Sequence, residues 1–181
     1  MTTIKTIVLI LFITMIAGVS FIYSGIYSVG ADNKHSALTF WVLETLRKKS
    51  IARAAKDIDV PDLESSQLLL SGGADYNDMC VACHLKPGQT ENDMTLGLYP
   101  EPPNLTLTAD AHDHDHGADA HNDPNVIARQ QFWVIKHGIM ASGMAAFGIT
   151  HSDERIWAMV AFLRKLPELT PDQYQIITAR Q

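Results

Sequence analysis

Cys80, Val81, Ala82, Cys83 and His84 form one continuous run. Two thiols three residues apart, followed at once by an imidazole, suit few chemistries. A C-x-x-C pair alone can serve dithiol redox exchange, half of a zinc site or covalent attachment of a haem; a histidine directly after it decides between them. At the start of a helix, each thiol can add to one vinyl group of a porphyrin. The next residue then projects beneath the ring, where its imidazole can bind iron. A zinc ribbon needs a second Cys or His pair, and the sequence contains no further cysteine. A thioredoxin-like centre needs a βαβ setting, of which there is no sign. Two cysteines cannot build a disulfide scaffold. The expectation is one covalent haem c on Cys80, Cys83 and His84.

Iron that transfers electrons needs a second axial ligand. Met144, in Gly143-Met144-Ala145-Ala146-Phe147, lies 60 residues beyond His84 on a stretch of small residues. A thioether there can approach iron closely, although a Met is more often a packing residue. Met140, His137 and His151 are rivals, and pattern alone leaves the choice open. A second cluster spans 110–123, where His112, His114, His116 and His121 alternate with Asp110, Asp113, Asp115, Asp119 and Asp123. Imidazole and carboxylate together suit Zn²⁺, Cu²⁺ or Ni²⁺. An ordered site needs supporting residues, which the sequence does not reveal. A solvated polar insert is therefore the expectation.

The elements around these residues are helical. No charge occurs from Ile7 to Val29, and about 20 apolar residues suffice to cross a bilayer. Residues 1–31 are expected to be an uncleaved anchor, with Tyr23 and Tyr27 at the far interface. The rival is a cleavable signal, for which Ser28-Val29-Gly30-Ala31 is a poor site. Lys5 favours a cytoplasmic N-terminus, whereas Arg47, Lys48 and Lys49 oppose it. Attachment of haem c outside the inner membrane decides for N-in. Residues 32–64 read as an amphipathic helix and linker. The helix covers 36–57, with Leu38, Val42, Leu46 and Ile51 on one face and Trp41, Leu43 and Ala54 widening it. It could lie on the membrane surface or pack on a partner or on the haem domain; packing is preferred. Helices are also expected at 65–80, at 126–138 up to Gly138, and from Asp153 to Leu166 after an N-cap at Ser152. Residues 87–125 are rich in turn signals. No segment alternates as a strand does, so the class is all-α. Residues 1–58 hold seven bases and three acids (+4), and residues 59–181 seven bases and seventeen acids (−10). So acidic a part argues against nucleic acid and for partners with a basic docking face.

Over residues 66–169 the chain resembles the class I cytochrome c family in its membrane-anchored bacterial monohaem form. Gly73-x-x-Tyr76 leading into Cys80–His84 is similar to the family's first helix and haem motif. Pro102-Pro103-Asn104-Leu105 resembles its proline loop, where the carbonyl of Pro103 would orient His84. Lys136–Ile139 through Phe147 resembles its sixth-ligand loop, which selects Met144 as the second iron ligand. Ile156–Leu163 resembles its last helix, with Tyr76, Trp157 and Phe162 packing where that helix crosses the first. The family usually has Pro after the ligand Met; here Ala145 stands there, which loosens the loop. The resemblance implies a haem domain at 65–169, a tail at 170–181, and single-electron transfer on the periplasmic side of the inner membrane. The chain would be a carrier or a respiratory-chain subunit, not an enzyme, and its partners would be an oxidase, a dehydrogenase or respiratory complex subunits, together with membrane lipid. The alternative is a haem enzyme or gas sensor with a labile sixth ligand, where His137 and His151 become acid–base candidates. A mainly structural role in a respiratory complex is a third reading.

Overall fold

In a computed structural model, which describes residues 2–108 and 123–179, the chain forms helices and, among those residues, no strand. It divides into two units, residues 1–33 and 34–181. The first is helix α1, Thr2–Ser24. Its hydroxyl groups turn back onto the helix: Thr14 Oγ1 donates to the carbonyl of Ile10 at 2.9 Å, and Ser24 Oγ to that of Phe21 at 2.7 Å. These two hydroxyl donors are thereby satisfied within the helix, as an apolar setting demands. Gly25, at φ +64°, ends it. By length and composition α1 can cross a membrane, and none of its span is buried in the protein.

The second unit holds α2 (Ala37–Ala55), α3 (Ser66–Met79), α4 (Val81–His84), α5 (Asp93–Gly97), α6 (Pro124–His137), α7 (Asp153–Lys165) and α8 (Pro171–Thr178), with short 3₁₀ turns at Phe147–Ile149 and Leu166–Glu168. The core lies between α3 and α7. A Cβ at Gly72 would overlap the carbonyl of Ala158, so only glycine lets the two backbones come this close. Tyr76 of α3, Phe162 of α7 and Tyr174 of α8 form a buried aromatic group, with ring centroids 5.3 to 6.4 Å apart. At the surface of the same crossing, buried Asp75 takes a bidentate ion pair from Arg155, at 2.6 and 2.7 Å.

Trp157 packs at the edge of this core. It stacks on Phe132 of α6, with centroids 4.1 Å apart and planes 16° from parallel. The reason is angular: five residues along a helix turn a side chain about 140°. Trp157 and Phe162 therefore serve different neighbours.

Local signals explain most boundaries. Ser36 and Ser152 cap α2 and α7 by accepting from the backbone N–H of Thr39 and Arg155. Helix α6 starts two residues earlier than its apolar pattern, because Asp123 caps it and Pro124 occupies the first turn, where proline loses no hydrogen bond. The expected tail at 170–181 contains α8, which opens with a reciprocal Thr170–Gln173 capping box. Its Tyr174 hydroxyl donates to Asn77 Oδ1 on α3 at 3.1 Å.

The apolar side chains of α2 pack little on the haem domain itself. Only Ala55 is buried, while Leu38, Phe40, Trp41, Val42, Leu43 and Leu46 are all exposed. The helix is nevertheless fixed at both ends. The backbone N–H of His35 donates to the Tyr99 hydroxyl at 3.2 Å, and Arg129 of α6 donates to the Lys56 carbonyl at 3.1 Å.

Candidate haem-binding site

Helix α3 ends at Cys80, and the single turn α4 carries Cys83 and His84. This puts both sulfurs and the imidazole on one helical turn. Cys80 and Cys83 are free thiols, each half-buried. Burial, with Asp75 nearby, pushes the Cys80 thiol up to about 12.

His84 is held from two directions. Its ring Nδ1 lies 2.9 Å from the carbonyl oxygen of Pro103. A carbonyl only accepts, so Nδ1 carries the proton and Nε2 keeps the lone pair. Burial lowers the imidazole pKa, partly offset by this bond, and so favours the neutral form that can bind metal. The backbone carbonyl of His84 accepts from the N–H of Leu105 at 3.2 Å and from the Tyr76 hydroxyl at 3.1 Å. The same hydroxyl proton is shared with the nearer Leu85 carbonyl, at 2.7 Å. Leu85 is buried and takes φ +67°, the sharp turn by which the chain leaves the motif. Burial raises the Tyr76 hydroxyl above the usual tyrosine range, so it stays a donor.

The loop after the motif is tied to it as well. Asn92 caps α5 and donates from Nδ2 to the Ala82 carbonyl at 2.9 Å, while Asn104 donates to Gln89 at 3.4 Å. Sequence reasoning had no role for Asn92. The available signal was Asn92-x-x-Thr95, a reciprocal capping pattern that closes the start of α5.

Met144 sits on a separate loop following α6. Gly138, at φ +66°, ends that helix, and a Cβ there would strike the backbone at Met144, Ala145 and Ala146. The loop folds back on itself: Ile139 N–H donates to the Met144 carbonyl at 3.1 Å, and Met144 N–H to Ser142 Oγ at 3.1 Å. Met144 is half-buried and borders the same core as Cys80 and Val81. Its rivals are placed otherwise. Met140 is 96% exposed. His137 is exposed and leans on Trp133, with centroids 4.9 Å apart. His151 pairs through Nδ1 with Thr150 Oγ1 at 2.8 Å, and its Nε2 is buried with no hydrogen-bond partner among the described residues. The His/Asp-rich insert lies outside the described residues, apart from Asp123, the cap of α6. Among the described residues no cluster of His, Cys, Asp and Glu is arranged to hold a metal ion.

Residues 67–163 match the family model described as cytochrome C oxidase, cbb3-type, subunit III. The chain belongs to that family. The match covers the chain from the first turn of α3 to near the end of α7, and with it a c-type cytochrome domain of the class I monohaem kind. Neither a curated protein nor a solved structure matches the chain. Its cofactor is covalently bound haem c, its chemistry is haem-based electron transfer, and its partners are redox proteins. The residues present fit that group: two thiols at the attachment spacing, and an imidazole whose other nitrogen is already engaged by Pro103.

Proposed function

We propose that the chain is a membrane-tethered electron carrier of the periplasmic face, with one haem c attached through Cys80 and Cys83 and with His84 and Met144 as axial ligands. The observation that carries this reading is the Nδ1–H bond of His84 to Pro103, which fixes the ring's tautomer and leaves Nε2 as the ligating nitrogen. Bound there, haem c supplies a one-electron Fe(III)/Fe(II) couple. The protein's own share is positional. Cys80 and Cys83 hold the group in register, and Pro103 and the Tyr76 hydroxyl keep His84 from swinging. Gly138 lets the Met144 loop close beside the core. With His84 and Met144 both holding the iron, no position would remain open for a substrate, which favours electron transfer over catalysis. Helix α1 supplies the tether, and haem attachment outside the inner membrane supports a cytoplasmic N-terminus. The family's description refers to a third subunit of a cbb3-type oxidase, which makes a membrane oxidase the favoured partner.

Absorption spectra of the haem-loaded full chain, oxidised and reduced, with and without CO, test this reading in wild type and Met144→Ala. The expected result is a low-spin wild type with a sulfur-to-iron band and little CO binding. In the mutant that band disappears and CO binds readily. A high-spin, CO-reactive wild type unchanged by the mutation would replace the carrier with a haem enzyme or sensor.

A further inference from the structure

Helix α2 has two unlike sides. Glu44, Arg47, Lys48, Ile51 and Ala55 are the less exposed positions and face the domain, where α2 meets α6. Opposite them runs the stripe Leu38, Val42, Leu46, Lys49 and Arg53, spaced by four, four, three and four residues and exposed throughout. The stripe is apolar in its first three positions and basic in its last two. Trp41 is 64% exposed beside it. Lys49 and Arg53 form no ion pair among the described residues, whereas Arg47 is paired with Glu44.

We infer that this stripe is a lipid-docking surface, which seats α2 on a bilayer containing anionic phospholipid. The inference rests on the reading of α1 as a membrane span. Three observations favour lipid. The first is sequence order: α2 begins after only twelve residues of linker and is the first folded element beyond the span. The second is composition. Exposed Leu, Val and Trp beside cations that have no ion pair among the described residues form the surface pattern of helices that lie in a membrane interface. The third is charge: α2 itself carries +3, from Arg47, Lys48, Lys49 and Arg53 against Glu44, whereas residues 59–181 carry −10. An anionic surface therefore attracts the α2 side and repels the remainder of the domain. Because α2 is fixed to the domain through His35–Tyr99 and Lys56–Arg129, docking it would hold the haem domain in one orientation.

The test uses the haem-loaded full chain in liposomes, with a specific protease site placed in the linker 25–33. An alkaline wash before cleavage checks the span: extraction of uncut protein would refute the tether while leaving the α2 question separate. After cleavage, haem absorbance is followed in the vesicle and supernatant fractions. The released piece is expected to stay on vesicles containing phosphatidylglycerol and to leave them at high salt. Lys49→Gln with Arg53→Gln should weaken partitioning by about 25-fold, about fivefold for each cation. Leu38→Glu with Leu46→Glu should abolish retention without changing the haem spectrum, which reports that the domain remains folded. Release from anionic vesicles at low salt would overturn the proposal. Retention on native membranes but not on pure lipid would also overturn it, and would assign the stripe to a protein partner.

Discussion

Replacing Tyr76 by Phe keeps the ring against Phe162 and removes only the hydroxyl. The Leu85 carbonyl, on a residue 1% exposed, then loses the donor at 2.7 Å. Leaving a buried acceptor unpaired costs about 1–3 kcal/mol, so Tyr76→Phe should lower the urea midpoint of the haem-loaded protein by that equivalent. An unchanged midpoint would mean that the bond contributes nothing. Covalent chemistry made Cys80, Cys83 and His84 legible in the sequence, because attachment permits little other spacing. Pro103 was legible only through family likeness, since nothing local says which carbonyl reaches an imidazole 19 residues back. The Tyr76 hydroxyl was not legible at all: an aromatic at that position reads as packing, and its acceptors emerge only once the chain turns at Leu85.

At the scale of elements, the α3–α7 crossing depends on the missing side chain at Gly72. Gly72→Ala drives a methyl into the Ala158 carbonyl and should cost about 3 kcal/mol, the upper range for overpacking. Gly97→Ala, where nothing lies within 4 Å of the added carbon, should stay within about 0.5 kcal/mol. Equilibrium denaturation of the two variants compares them directly; equal losses would remove the close crossing from the account. Long helices were legible from periodicity, caps and charge at their ends. The five-residue α5 and eight-residue α8 were not, because elements so short show too little periodicity. Only their capping residues betray them. The direction of α2's apolar face also escaped the sequence, since periodicity gives a face but not which neighbour, if any, covers it.

For the whole molecule, charge asymmetry governs association. The acidic segment 59–181 should make electron transfer with a basic partner protein slow by about tenfold from low to physiological ionic strength. Stopped-flow mixing across a salt series measures this, and a rate indifferent to salt would remove electrostatic steering. The contacts of α3 also bear on the order of the protein's making. Asp75 waits for Arg155, 80 residues later, and Asn77 for Tyr174, 97 residues later. During synthesis the cysteine end of α3 therefore emerges well before the residues of α7 and α8 that lock it in place, so Cys80 and Cys83 are made long before the fold can enclose them.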